Sequence, residues 1–389
     1  MTDRHDLRIG HALELLRAMP ADSIDSIVTD PPYELGFMDR GWDSSGVAFH
    51  VELWAEALRV AKPGAHLMAF SGTRTYHRLA CAVEDAGWEI RDQFAWVYGS
   101  GMPKSRDLGE GRGTQAKPSW EPIVLARKPF AGTIYANVER NGLGGLNIDA
   151  CRIEPQGDDL EAYRRNCSGD RGHAGTRAAD GVRGTDLRTG GAKANDLGRW
   201  PANLLHDGSD EVLACFPDSA GAKGAIRGDE PSCASTGAVT NLRQRVPFEM
   251  RDDGAGSAAR FFYCGKATPG EREAGLDGLP MRNGRRNHHT TVKPIAVGRW
   301  LQRLVTPAGG ITLDLFAGSG TFGVSAILED LRPVLLELDR EDGEPCGYEA
   351  IIRARLAWAY QERERMREVE AEAQRAAEFK ARQLPLIAA

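Results

Sequence analysis

Ile311-Thr312-Leu313-Asp314-Leu315-Phe316-Ala317-Gly318-Ser319-Gly320-Thr321 reads as an apolar strand that turns through glycines into the helical pattern of residues 322–328. Glycine in such a turn lets a ligand approach bare backbone, and Gly318, Gly320 and Gly323 have the spacing of a dinucleotide fingerprint. Further on, Pro333-Val334-Leu335-Leu336-Glu337-Leu338-Asp339 is a second apolar strand that ends in acids. A carboxylate there accepts hydrogen bonds from a ribose diol, a role that falls to Glu337 rather than Asp339. Strand, glycine turn and distal acid indicate an adenosine-containing cofactor. They do not separate a nicotinamide dinucleotide from S-adenosylmethionine.

Near the other end of the chain, Ser26-Ile27-Val28-Thr29-Asp30-Pro31-Pro32-Tyr33 is a short apolar run that stops at an acid, two prolines and an aromatic ring. Ile27 and Val28 favour extended backbone, Pro31 restricts Asp30 to extended conformations, and Pro32 fixes the chain again before Tyr33. An acid and an aromatic are thereby held at the carboxyl end of a strand, where open α/β sheets bind ligands. The pattern around this stretch predicts a strand and helix over 7–19, a helix over 50–60, a strand over 66–70, a helix over 75–86 and a strand over 94–98. Such alternation predicts a mainly parallel sheet covered by helices. Between residues 34 and 49, glycines and polar residues around Trp42 suit a mobile loop.

From residue 100 to 280 the chain is rich in Gly, Arg and Asp with scattered apolar clusters such as Ile123-Val124-Leu125, and is expected to form a separate, loop-rich module. Within it Arg164, Arg165, Arg171, Arg177, Arg183 and Arg188 stand on glycine-rich backbone that can track a phosphate chain; a solvated insert is the other reading of residues 156–199. The 389 residues include 49 basic and 55 acidic ones, a net charge of −6, so contact with nucleic acid has to come from local patches of this kind. Apolar residues make up 41% of the sequence, no run is long enough for a membrane span, and the start is polar, so a cytoplasmic protein is expected. The seven cysteines contain no CxxC pair and His288-His289 has no further ligands at useful spacing, so no metal is expected. Residues 348–383 predict a docked helix with a solvated extension rather than a coiled coil, because no heptad is sustained.

Asp30-Pro31-Pro32-Tyr33 together with Asp314-Leu315-Phe316-Ala317-Gly318-Ser319-Gly320 resembles the DNA amino-methyltransferases, which transfer a methyl group from S-adenosylmethionine to the exocyclic amine of adenine or cytosine. The order of motifs, with a large insert and then His289-Thr290-Thr291-Val292-Lys293-Pro294 before the cofactor loop, is similar to the beta arrangement of that family, and the stretch from Ser26 through Tyr98 with Gly99-Ser100-Gly101-Met102-Pro103-Lys104-Ser105 after it is similar to phage- and prophage-borne site-specific enzymes. The resemblance implies an α/β, Rossmann-like class I methyltransferase fold with permuted motif order and a loop-rich inserted target-recognition module. It divides the chain into a catalytic half at 1–99, a target-recognition region at 100–280, a cofactor-binding half at 281–345 and a C-terminal helix at 346–389. Asp30, Pro31, Pro32 and Tyr33 become the catalytic candidates. Asp314, Phe316, Gly318, Ser319, Gly320, Thr321, Glu337, Thr291 and Lys293 become the S-adenosylmethionine candidates, and the six arginines of the insert the contacts to double-stranded DNA. No membrane partner is expected, and a homodimer stays open.

In the chemistry so implied, the Asp30 carboxylate and the Pro31 carbonyl each accept one amine hydrogen, and Tyr33 stacks on a base rotated out of the duplex. Asp before Pro-Pro-Tyr leans toward adenine in that family, with amino-cytosine as the alternative; from another class, the alternative is a catalytically silent DNA-binding protein. Carbon methylation would need a nucleophilic cysteine, and Pro345-Cys346 sits in an acidic stretch that raises a thiol pKa. The chain departs from the family pattern at Gly10-His11, where Gly-Asp is frequent, and at Thr290 and Leu315, where proline is frequent.

Overall fold

The computed structural model describes residues 5–35, 45–101, 105–154, 198–218, 256–266, 268, 270–341 and 344–387. Trp42 and the arginines Arg164, Arg165, Arg171, Arg177, Arg183 and Arg188 lie outside the described residues. The chain divides into two compact units, one of residues 1–151, 203–209 and 264–389, the other of residues 152–202 and 210–263.

Nine strands are described in one sheet: β1 (Asp6–Ile9), β2 (Ile24–Thr29), β3 (Ala61–Phe70), β4 (Glu89–Val97), β5 (Trp120–Arg127), β6 (Leu204–His206), β7 (Tyr263–Cys264), β8 (Ile311–Asp314) and β9 (Arg332–Glu337). Their order is β1-β9-β8-β2-β3-β5-β4-β6-β7. Neighbours from β1 through β3 pair in parallel, as do β4 and β6, while β5 runs antiparallel to both β3 and β4. The mainly parallel, helix-covered sheet expected from the alternating pattern is therefore present, with β5 reversed, and it fits the Rossmann-like α/β fold that the resemblance implies.

The helices are α1 (Ala12–Arg17), α2 (Val51–Val60), α3 (Tyr76–Asp85), α4 (Ile134–Asn141), the short α5 of the smaller unit (Asp210–Leu213), α6 (Ile295–Val305), α7 (Thr321–Leu328) and α8 (Tyr348–Ile387). Every residue of β2 is buried, as a strand covered on both faces requires. Strand alternation divides the core between those faces. Val334 and Leu336 of β9 pack with Leu53, Trp54 and Ala57 of α2, whereas Leu335 packs with Val324 and Ile327 of α7 and with Ile352 and Leu356 of α8. All eight residues of α7 are buried, which places a premium on small side chains. A Cβ on Gly323 would lie 2.6 Å from Leu335 Cδ1 and 2.8 Å from Leu356 Cδ2. Gly323→Val is accordingly expected to lower stability by about 1–3 kcal/mol through overpacking, read as a shift of the urea midpoint with an unchanged slope.

Ile123-Val124-Leu125 corrects the reading of the insert. The three residues are the buried centre of β5, between β3 and β4, so the chain from 100 to 151 belongs to the larger unit. Glycine-rich and proline-rich flanks of this one strand had masked it in the composition of its surroundings. The boundaries between the units fall at 151/152 and 263/264, with residues 203–209 returning to the larger unit to add β6.

The long α8 docks through its first turns, where Ile351, Ile352, Leu356 and Ala359 are buried, and runs on with Val369 and Phe379 exposed. No described helix is long and apolar enough to cross a membrane.

Candidate active site

β2 and β8 lie side by side at the centre of the sheet, but β2 is followed by β3 on one side and β8 by β9 on the other. The crevice beyond their carboxyl ends is therefore a topological switch point, the place where such sheets take ligands. Thr29, the last residue of β2, ties the two motifs together across 285 residues of sequence: its hydroxyl donates to Asp314 Oδ1 at 2.8 Å. Thr29 Oγ1 in turn accepts the Leu315 N–H at 3.1 Å. A cavity of about 580 Å³ opens here, lined by Asp30, Tyr33, Lys293, Phe316, Gly318 and Glu337 among others.

Four polar side chains meet on one side of this cavity. Lys293, immediately before the Pro294 that begins α6, is only 7% exposed. Its Nζ lies 2.6 Å from Asp30 Oδ2 and 3.5 Å from Glu121 Oε2, and 5.2 Å from the ring centroids of both Tyr33 and Phe70. The Tyr33 hydroxyl donates to Glu121 Oε2 at 2.9 Å, while the Tyr33 carbonyl accepts the Thr75 hydroxyl at 2.7 Å. Burial disfavours the lysine charge, but Asp30 and Glu121 outweigh it and hold its pKa above the ordinary value. For Glu121 burial prevails and raises the carboxyl, against the pull of Lys293. Burial and the two carboxylates push the Tyr33 phenol well above its usual range. Asp30 Oδ1 is buried and has no hydrogen-bond partner among the described residues.

The glycine turn forms the other side. Gly318 and Gly320 have φ of 56° and 78°, left-handed backbone that favours glycine. The reason for glycine differs from the expected approach of a ligand. A Cβ on Gly318 would lie 2.8 Å from His289 Nε2, and one on Gly320 would lie 3.2 Å from Ile352 Cγ2, so both positions are also held open by protein packed against the turn. The Gly318 N–H donates to Glu337 Oε2 at 2.6 Å. From α8 the fully buried Arg355 donates through Nη1 to the Ser319 carbonyl, to Ser319 Oγ and to Thr321 Oγ1 at 2.8, 2.9 and 3.1 Å. The hydroxyls of Ser319 and Thr321 thus brace the turn, and Phe316 and Thr291 line the cavity.

Two acids here are shifted upward. Asp314 Oδ1 takes the Thr29 hydroxyl and the Phe316 N–H, Oδ2 is buried without a partner, and burial pushes the carboxyl from 3.8 up to about 8. Burial likewise carries Glu337 from 4.5 to about 7, against the N–H groups it accepts. Both groups hold protons in the folded chain that the unfolded chain has released. Stability is therefore expected to fall as pH rises from about 4.5 to 7, with a slope of at most about 1.4 kcal/mol per unit from each group. Glu337→Gln should flatten that fall in urea titrations run across this range.

The structure thus brings Asp30, Pro31, Pro32, Tyr33, Thr291, Lys293, Phe316, Gly318, Ser319, Thr321 and Glu337 to one cavity. Asp314 and Gly320 sit just behind it. Lys293 lies on Asp30 rather than on the glycine turn. Glu121 and Arg355 join these groups from outside every motif, and His289 from within one packs against Gly318. Arg355 had a signal, since it falls four residues after Ile351 and three after Ile352, on the apolar stripe of its helix; Glu121 had none.

The DNA methylase family model, N6_N4_Mtase, matches residues 24–342. The type II methyltransferase M.HpaI of Haemophilus parainfluenzae is 32% identical over 104 residues, which are 25% of this chain and 33% of that protein. The chain spans 33–42% of the length of the curated relatives it matches. Among solved structures, PvuII DNA methyltransferase (cytosine-N4-specific) is 13% identical at a TM-score of 0.45, over 92% of this chain and 95% of that one. The M1.HpyAVI–SAM complex is also 13% identical, at a TM-score of 0.39, over 90% of this chain and 98% of that one.

Proposed function

The chain belongs to the DNA methylase family whose model spans residues 24–342, and we propose that it transfers the methyl group of S-adenosylmethionine to an exocyclic amine of DNA, that of adenine. The observation that carries this reading is the buried, partnerless Oδ1 of Asp30 in a cavity shared with the glycine turn. An acceptor in that state is costly unless a donor arrives to use it.

The residues present suit the cofactor. The cavity of about 580 Å³ has room for a small-molecule ligand. Its wall sets the acids Asp30, Glu121 and Glu337 against Lys293, already paired, and Arg340, and the ionised carboxylates among them attract a sulfonium. Glu337, at the end of β9, would take a ribose diol, with Phe316, Gly318 and Thr291 around it. When bound, S-adenosylmethionine supplies an electrophilic methyl group.

The remaining steps belong to the chain. Asp30 Oδ1 and the Pro31 carbonyl accept the two amine hydrogens and weaken the conjugation of the nitrogen lone pair with the ring. Asp30 then takes the proton that the alkylated nitrogen sheds. Tyr33, held at its hydroxyl by Glu121, offers a face to a base turned out of the duplex. Lys293 holds Asp30 by its other oxygen, Oδ2, in an ion pair of 2.6 Å. The choice of adenine rests on the aspartate that precedes Pro-Pro-Tyr.

The test is incubation with labelled S-adenosylmethionine and, separately, DNA, RNA and protein, followed by digestion of the DNA to nucleosides. Label in N6-methyladenine is expected. Label in N4-methylcytosine would overturn the choice of base, and label in protein alone would overturn DNA as the substrate.

A further inference from the structure

Two carboxylates, Asp30 and Glu121, share one ammonium, Lys293, and Glu121 also takes the phenol of Tyr33. The chemistry above gives direct roles to Asp30, Lys293 and Tyr33 and uses Glu121 only as the acceptor of the Tyr33 hydroxyl and as one acid of the cavity wall. Glu121 comes from β5, the antiparallel strand, and belongs to no motif. We propose that Glu121 is a positioning residue for methyl transfer: by sharing Lys293 it keeps one oxygen of Asp30 free for the amine, and by accepting the Tyr33 hydroxyl it fixes the ring that receives the base. This rests on the function proposed above.

The geometry supports each half. Placed 2.6 Å from Asp30 Oδ2 and 3.5 Å from Glu121 Oε2, the ammonium engages one oxygen of each acid, and Asp30 Oδ1 is left unpartnered. With Glu121 neutral, Lys293 would give its whole charge to Asp30 and weaken Asp30 as an acceptor. With Glu121 ionised, two negative charges and one positive leave the cluster negative beside a nitrogen that becomes positive. The groups facing Glu121 are Lys293 from the segment before α6, Asp30 and Tyr33 from the loop after β2, and Tyr98 from the end of β4. Tyr98 is itself pushed up to about 12 by burial and by Glu121, so neither phenol titrates near neutrality. The acid limb of the rate then belongs to Glu121, whose carboxyl burial raises.

The experiment compares wild type, Glu121→Gln, Lys293→Gln and the double variant in steady-state methylation of DNA. Failure of the wild type to methylate any DNA amine would overturn the proposed function itself, separately from the role of Glu121. Given wild-type turnover, Glu121→Gln, which keeps an acceptor for Tyr33 but loses the charge, should lower kcat by about 10–100-fold with KM for S-adenosylmethionine within about twofold. Its acid limb should move to lower pH, since the raised Glu121 carboxyl no longer titrates. The double variant should lose little more than Lys293→Gln. Wild-type kcat and an unmoved limb in Glu121→Gln, or losses that multiply in the double variant, would overturn the proposal. Should Glu121→Gln fail to fold, Glu121→Asp replaces it: the retained charge should keep kcat within about tenfold of wild type with the acid limb in place, and a larger loss at normal stability would overturn the role.

Discussion

Asp30→Ala is expected to reduce methyl transfer by roughly three orders of magnitude while leaving the affinity for S-adenosylmethionine within a few-fold of wild type. The alanine removes the buried Oδ1 that has no other partner, and with it the acceptor for both the amine hydrogen and the departing proton. The fold should tolerate the change, because Lys293 still lies 3.5 Å from Glu121 and does not become an uncompensated buried charge. The cofactor side is built from other parts: Gly318 bonds Glu337, and Arg355 braces Ser319 and Thr321. Calorimetric titration of the cofactor and single-turnover methylation separate the two effects. Turnover retained in Asp30→Ala would refute the role given to this residue.

Lys293→Met should damage both stability and activity. Lysine is 7% exposed here, and its removal leaves the carboxylates of Asp30 and Glu121 buried together with no cation between them. Breaking a buried pair in this way costs about 3–5 kcal/mol. Two such acids cannot both ionise cheaply, so one retains its proton well above the usual carboxylate range. Folding then takes up protons that the unfolded chain lacks, and the loss of stability should grow as pH rises from about 5 to 8. Urea midpoints at several pH values would show this widening gap from wild type. A constant gap would mean that Lys293 contributes packing over Tyr33 and Phe70 rather than charge.

Much of the sheet was legible in the chain because local rules generate it. Apolar runs gave β2, β3, β8 and β9, and helical spacing gave the bounds of α2, while its buried face, Leu53, Trp54, Ala57 and Val60, was decided by packing. The strand β5 was hidden, since an eight-residue buried run inside glycine-rich chain carries no periodicity against its surroundings. The candidate site was legible where motif and backbone coincide. Asp30 follows a strand end and Tyr33 two prolines, and Gly318 and Gly320 need left-handed φ. Glu121 was not, and Arg355 only through its place on the apolar stripe of its helix, because charged residues on a helix or strand are usually solvated and only packing shows which one is enclosed.

By itself the sequence determined that an acid and an aromatic end one strand, that glycines open another, and that the two belong to one kind of cofactor-dependent chemistry. These are statements about neighbours in the chain, set by φ restrictions and apolar patterning over a few residues. Tertiary structure decided who stands opposite whom. Lys293 meets Asp30 across 263 residues, and Glu121 meets Tyr33 across 88, because strand order places β2 between β8 and β3 and puts β5 on the far side of β3. Ion pairing depends on distance and burial in space, which strand order and register fix and local sequence does not.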